Sequence, residues 1–150
     1  MCSSDLSSSK DALIAAYLER MDEEDRAGYA RQSSRVDDPV ERTLLVFDVA
    51  AKNARRHGFR GCRYLNALTE FPDPRHPVHA VVARHRAWLA DTWTQTLLAA
   101  RLTDPEPVVA QLFLLYDGGM AGCKATRSAD PILLAKAMAA DILMRAFGPN

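Results

Sequence analysis

Three histidines close together in the sequence are the first residues that could carry chemistry. His76, His79 and His85 lie within ten residues of one another, and imidazole nitrogens are common zinc ligands. His76 precedes Pro77 at the expected start of a helix, so only the other two histidines would lie inside that helix. A separation of six residues does not place two side chains on one helix face, as a separation of four does. The spacing therefore disfavours a metal site, and no cofactor is expected.

The remaining nucleophiles are isolated. Ser7 and Lys10 have the Ser-x-x-Lys spacing of some acyl-transfer enzymes, but the companion Ser-Asp-Asn and Lys-Thr-Gly motifs do not follow in the sequence. Cys62 lies between Arg60 and Arg63, whose charges could favour a thiolate, although an inert buried thiol is the expected state. We therefore expect that the protein is not an enzyme, and thiol sensing at Cys62 stays open.

Length and composition limit the class of protein. The chain has 150 residues, 48% of them apolar and 25% charged, which is typical of one globular domain. Its formal net charge of zero argues against a basic nucleic-acid footprint spread over the whole chain. Neither a membrane-spanning stretch nor a signal peptide is visible, and three cysteines without metal spacing suit reduced thiols. These features indicate a cytoplasmic protein with no membrane partner.

The elements that must position any site carry helix signals throughout. Ser9, followed by an acidic first turn, predicts the first N-cap, and a short element is expected from about Gly61 to Phe71. No alternating strand pattern is present. The fold class is therefore predicted as all-α, a bundle of about six helices. The Pro-marked helix starts are Asp38-Pro39, His76-Pro77, Asp104-Pro105 and Asp130-Pro131.

Small residues in the last two helices predict close helix packing. Gly118 and Gly122 are four residues apart, which places them on one face, and each glycine costs about 1 kcal/mol relative to alanine in a helix. The last helix has two apolar faces, for which a partner subunit is the simplest second cover. We predict a homodimer, with an intrachain helix crossing as the alternative for the glycines. The candidate interface residues are Gly118, Gly122, Ala135, Met138, Ala139 and Ile142.

Several segments, in this order, resemble TetR-family transcriptional regulators. Ser9–Leu13 and Ala16–Arg20 resemble the junction that follows the recognition helix of that family. Gly58–Cys62 resembles the approach to the short helix of the family's effector domain, and Leu114–Gly118 its dimer-forming penultimate helix. Further matching segments are Leu65–Ala67, Glu70–Pro74 and His76–Val78. The resemblance covers about residues 9–147.

The resemblance implies the effector-binding and dimerisation half of a repressor. The last two helices would pair with their copies into a dimeric four-helix bundle, and the earlier helices would enclose a cavity for a small hydrophobic effector. A satisfied core histidine remains the plain alternative for His85. The candidate effector-binding residues are Phe47, Cys62, Asn66, His85, Trp88, Tyr116 and Met120.

The sequence departs from the family's pattern at its N-terminus. Family members carry a helix-turn-helix domain before the junction, so residues 9–147 are expected to be the TetR-like domain, residues 1–8 a non-native or disordered leader, and 148–150 a tail. Operator DNA would then be bound only through the missing domain, and the chain as given would not bind it specifically. Residues 2–6 resemble a translated sequencing adapter, which favours a truncated reading of a longer gene. The alternative is a structural dimerisation module, without a ligand, that pairs with an intact regulator.

Overall fold

A computed structural model describes residues 3–148, and these form six α-helices. No strand occurs within residues 3–148, so the prediction of an all-α protein with about six helices is confirmed. None of the described helices is long and apolar enough to cross a membrane. In chain order the helices are α1 (Ser3–Ser33), α2 (Pro39–Ala54), α3 (Arg63–Glu70), α4 (Val78–Ala99), α5 (Glu106–Thr126) and α6 (Asp130–Phe147).

Proline marks the start of the four helices that were predicted from it. Asp38 is the N-cap of α2, where its carboxylate accepts a hydrogen bond of 2.8 Å from the Glu41 backbone N–H. Pro77 and Pro105 precede α4 and α5 directly, and Pro131 lies in the first turn of α6. Proline suits these positions because its φ is already helical and a first-turn N–H would have no partner within the helix.

The first helix starts earlier than the sequence predicts. α1 is already helical at Ser3, so the prediction that Ser9 caps it is wrong. The helix runs through the acidic cluster 22–25 and ends at Ser33. Whether residues 1–8 form a leader stays a prediction, and residues 1, 2, 149 and 150 lie outside the described part of the chain.

The main core lies between α2, α4, α5 and α6. Trp93 on α4 is fully buried there and stacks on Phe47 of α2 with the ring centroids 6.3 Å apart. Its indole N–H donates a 3.1 Å hydrogen bond to the Thr43 carbonyl, which satisfies the buried polar atom of the ring. A second apolar cluster joins α1, α3 and α4. Its buried members are Ala15, Leu18, Tyr64, Val78, Val81 and Val82.

Glycines allow α5 and α6 to approach closely. A Cβ atom on Gly119 would lie 2.6 Å from Cδ1 of Ile132, and one on Gly122 would lie 2.7 Å from Cβ of Pro131. A Cβ on Gly118 would meet nothing within 4 Å. Within the chain the close approach therefore uses Gly119 and Gly122. A contact between subunits at Gly118 stays a prediction.

The small residues of α6 are covered inside this chain. Ala135 and Ala139 are buried, and Ile142 is partly buried against the main core. Together with Gly122 they occupy the intrachain helix crossing that the sequence left open as the alternative. Met138 lies on the outer surface of the same helix. A contact between subunits at the exposed members of the predicted set stays a prediction.

Candidate functional site

A buried polar network joins α1 to α4. Only 7% of Asp22 is exposed, and its Oδ1 lies 2.8 Å from Nδ1 of His85. Its second oxygen, Oδ2, lies 2.9 Å from Nη2 of Arg26 in an ion pair within α1. A buried carboxylate is costly unless its oxygens are paired. Both oxygens of Asp22 have a partner, so the network holds the two helices in one arrangement.

Tyr64 brings α3 into the same network. Its ring stacks on the imidazole of His85 with centroids 3.6 Å apart and an interplanar angle of 12°. Its hydroxyl donates a 2.6 Å hydrogen bond to Oδ2 of Asp25 on α1. Burial, followed by the contact with Asp25, raises the pKa of Tyr64, so the phenol stays a protonated donor. Three helices therefore meet at His85.

The protonation of the network follows from burial and pairing. Burial of Asp22 works to raise its pKa, but hydrogen bonds from Arg26 and His85 outweigh it, and the pKa lies below its ordinary value. Burial lowers the pKa of His85, and the nearby Asp22 only partly offsets this. Near neutral pH the network thus holds a carboxylate, a guanidinium and a neutral imidazole, with the Nδ1 hydrogen of that imidazole facing the carboxylate.

Most of this network is not apparent from the sequence. The cluster 22–25 reads as a solvated acidic run, yet Asp22 lies four residues after Leu18, on the buried face of α1. The i, i+4 spacing of Asp22 and Arg26 is the one sequence feature that could have indicated a pair on that face. Their partners, His85 and Tyr64, come from other helices, so no local pattern reveals them.

Among the predicted effector-binding residues, Phe47 and Met120 are buried in the main core and Tyr116 packs against it, while His85 belongs to the buried polar network. Phe47 and Tyr116 are in edge-to-face contact with centroids 5.8 Å apart, and Met120 is buried in the same core cluster. His85 lies beside Trp88 with ring centroids 5.6 Å apart. Burial raises the pKa of Tyr116, and its hydroxyl makes no hydrogen bond to any described residue. The rings of Phe47 and Trp93 therefore flank a partly buried phenol whose hydroxyl has no described hydrogen-bond partner.

Cys62 is the N-terminal cap residue of α3 and packs against both apolar clusters. Burial raises the pKa of its thiol, which keeps it protonated near neutral pH. Arg60 and Arg63 are exposed and do not offset that burial. The expectation of an inert thiol agrees with this environment.

Asn66 links the loop before α3 to α5 and does not lie with the predicted effector-binding residues of the core. Its side-chain amide donates a 2.7 Å hydrogen bond to the Arg60 carbonyl. Its side-chain oxygen accepts a 3.2 Å hydrogen bond from Nζ of Lys124 on α5. Both bonds lie in an exposed setting, so Asn66 fastens the loop before α3 to the end of α5.

The histidines at the start of α4 have structural partners. Nε2 of His79 lies 2.8 Å from the Phe71 carbonyl oxygen. His76 stacks on the Phe71 ring at 4.2 Å and accepts a hydrogen bond from the Val78 backbone N–H. Among residues 3–148 no group of three or more potential metal-ligating side chains occurs.

An open groove lies on the outer side of Trp88, between α1, α2 and α4. Its volume is about 650 Å³, within the usual range for small-molecule sites. The Tyr29 and Trp88 rings form an edge-to-face pair 5.8 Å apart, and the Arg26 guanidinium lies 5.4 Å from the Trp88 centroid. Trp88 is the one predicted effector residue that lines it. Further lining residues are Arg42, Arg84, Asp91 and Gln95.

The outer surfaces of α5 and α6 expose large apolar side chains. Leu114 on α5 is 75% exposed and Leu134 on α6 63%. Met138 is also exposed on α6. Exposed apolar residues that cluster on one surface are typical of protein–protein contacts. This surface is called the outer face of α5 and α6 below.

The fold and the arrangement of its helices define a class of regulator domain. The structure aligns with the crystal structure of SCO4454, a TetR-family transcriptional regulator from Streptomyces coelicolor, with a TM-score of 0.74 and 34% sequence identity. That alignment covers 91% of this chain and 66% of the other. The chain therefore belongs to the TetR-like transcriptional regulators, and the family resemblance seen in the sequence is confirmed.

Curated relatives agree with this class. The chain is 25% identical over 103 residues to the HTH-type transcriptional regulator YjdC of Escherichia coli (strain K12), and equally similar to YjdC of Shigella flexneri. The matches cover 69% of this chain and 54% of each relative, so the chain spans about half the length of these proteins. No protein-family model matches the chain.

Proposed function

We propose that the chain is the effector-sensing and dimerising part of a TetR-family repressor that acts in the cytoplasm and catalyses no reaction. The likeness to SCO4454, described as a TetR-family transcriptional regulator, supports this assignment. Operator DNA would be bound through a helix-turn-helix domain of the complete regulator, which the HTH-type description of YjdC supports.

The observation that carries effector sensing is the setting of the Tyr116 hydroxyl. The partly buried Tyr116 ring lies 5.8 Å from the Phe47 ring and 6.5 Å from the Trp93 ring between centroids, and no described residue hydrogen-bonds to its hydroxyl. A polar atom among apolar walls orients a ligand, while the walls supply most of the contact area. The effector would therefore be a small, mainly apolar molecule with one polar group for Tyr116.

Through the network at His85, such a ligand would affect the position of α1. His85 neighbours Trp88 on one side and holds Asp22 of α1 on the other. A ligand that displaces the imidazole would weaken the contact between α1 and α4, and would so shift the balance between two arrangements of α1. In the family arrangement, α1 is the helix next to the DNA-binding domain.

The outer face of α5 and α6 would form the homodimer interface. Apolar area is exposed there by Leu114, Leu134 and Met138. Gly118 on α5 has no side chain and leaves open space at its position. Two copies of this face would pair into a four-helix bundle around a twofold axis.

A thermal-shift screen with small apolar compounds tests effector sensing. A ligand at a hundredfold excess over its dissociation constant should stabilise the fold by about 2.7 kcal/mol. Tyr116→Phe removes only the hydroxyl, so its affinity for that ligand should fall by about two- to tenfold, the value of one hydrogen bond. Tyr17→Phe is the matched control, because Tyr17 is exposed on α1.

Two results would contradict the proposal. The first is an equal effect of both tyrosine substitutions on ligand affinity. The second is a screen in which no apolar compound stabilises the protein. The latter would favour the dimerisation module without a ligand.

A further inference from the structure

The groove between α1, α2 and α4 combines two aromatic rings with three arginines and one aspartate. Tyr29 and Trp88 provide two rings with centroids 5.8 Å apart and an interplanar angle of 84°, so a flat ligand can stack on one ring and meet the edge of the other. Flat apolar ligands gain contact area and favourable ring geometry from such a pair. The groove volume of about 650 Å³ admits a ligand of drug size.

Two of the three guanidinium groups in the groove are neutralised by acids. Arg26 pairs with Asp22 at 2.9 Å, and Arg84 pairs with Glu19 at 2.8 Å. Arg42 differs, because no carboxylate lies within ion-pair distance of it among the described residues. The groove therefore keeps one guanidinium whose charge has no counterion in the described chain.

Arg42 is also held in place before any ligand arrives. Its Nε and Nη2 both donate to the Val36 carbonyl, the first at 2.9 Å. The hydroxyl of Tyr29 donates a 3.3 Å hydrogen bond to the Arg42 backbone carbonyl, which ties this residue to one of the two rings. A guanidinium fixed in this way loses little conformational entropy when it binds an anion.

We propose that this groove binds a flat apolar organic acid, with its ring system on Tyr29 and Trp88 and its carboxylate on Arg42. The site is separate from the interior effector set around Tyr116 and does not depend on it. Asp91 on α4 lines the same groove and has no cationic partner among the described residues. Its charge repels an anion, so the carboxylate is directed towards α2 and Arg42.

Calorimetric titration of the whole protein with 1-naphthoate, and with the neutral 1-naphthamide, tests the site. We expect 1-naphthoate to bind more tightly than the amide, and Arg42→Gln to weaken its binding by about ten- to a hundredfold, the value of a charge-assisted hydrogen bond. Asp91→Asn removes the repulsion and should tighten binding by about threefold. Arg35→Gln, at an exposed arginine that does not line the groove, should leave binding unchanged.

Three outcomes would overturn the site: equal affinity for acid and amide, equal effects of Arg42→Gln and Arg35→Gln, or no binding of 1-naphthoate at millimolar concentration. Should Arg42→Gln fail to fold, Asp91→Asn still tests the site. This variant should bind 1-naphthoate more tightly, and unchanged or weaker binding by it contradicts the proposal. Tyr116→Phe should leave 1-naphthoate affinity unchanged. A failure at the groove is thus distinguishable from a failure of the interior effector site.

Discussion

Nδ1 of His85 lies 2.8 Å from Oδ1 of Asp22, across 63 residues of sequence, and this contact is a buried polar link between α4 and α1, alongside the more exposed ion pair of Arg84 with Glu19. Both groups are largely buried, and Arg26 pairs with the other oxygen of the carboxylate. The packing of α1 against α4 therefore depends on the Asp22 carboxylate and on the protonation of the His85 imidazole.

The stability of the protein should fall as pH decreases from 7 to 5. The pKa of His85 is lowered in the folded state, so below about pH 6.5 the unfolded chain binds the proton first and folding loses free energy. Asp22, whose pKa is also lowered, adds a further loss below about pH 4. Urea unfolding at a series of pH values measures the slope.

His85→Gln should flatten that slope between pH 7 and 5, because the titrating group is gone. His57→Gln, at an exposed histidine, should keep the slope of the wild type. The same slope in all three proteins would show that His85 does not titrate differently in the folded and unfolded states.

Removal of the Asp22 carboxylate should destabilise the protein more than removal of the exposed carboxylate of Glu23. Asp22→Ala leaves the Arg26 guanidinium and the His85 N–H without their partner, and we expect a loss of about 3 kcal/mol in the free energy of unfolding. Glu23→Ala, one position along on the solvent side of α1, should change it by about 0.5 kcal/mol or less. Chemical unfolding compares the two, and losses of equal size would argue against the network.

The close approach of α5 and α6 depends on Gly119. A methyl group there would meet the Ile132 side chain at 2.6 Å and its Cα at 3.1 Å, so Gly119→Ala should cost about 1–3 kcal/mol by overpacking. Gly28→Ala in α1 meets only the mobile end of Arg31, at 3.8 Å, and should stabilise by about 0.5–1 kcal/mol. Thermal unfolding of both variants tests the difference in sign.

Cys62 should react slowly with thiol reagents. Its raised pKa leaves little thiolate near neutral pH, and the thiolate is the reactive form. In a Cys2→Ser protein at pH 7.5 we expect the folded thiols to be alkylated several-fold more slowly than those of the urea-unfolded chain. A folded Cys62 that reacts as fast as glutathione would instead revive the thiol-sensing hypothesis.

The helix starts could be predicted because proline acts locally. Pro39, Pro105 and Pro131 restrict their own backbone whatever the rest of the chain does, and each helix begins within one or two residues of the predicted point. The cap predicted at Ser9 failed because serine favours a helix start but does not prevent the residues before it from continuing the helix.

The site was only partly predictable, because its geometry depends on helix rotation and on distant partners. α5 is apolar on most sides, so its sequence could not show that Gly119, and not Gly118, faces α6. His85 and Trp88 could be named as candidates because the family resemblance implies a cavity beside their helix. Arg42 could not be predicted as a binding residue, because its guanidinium matters only if no carboxylate lies near it, and only the folded structure shows this.

The outer face of α5 and α6 should determine the oligomeric state. Leu134→Glu combined with Met138→Glu would bury two carboxylates from each subunit in the proposed interface, and a cost of about 3 kcal/mol would weaken dimerisation more than a hundredfold. Leu98→Glu is the matched control, because Leu98 is exposed on α4, away from this face. Sedimentation equilibrium should then find dimers for the wild type and the control, and monomers for the double variant. A wild-type protein that is monomeric at about 100 μM, or a double variant that stays dimeric, would remove this face from the interface, since a natural interface of this class is expected to hold at such concentrations.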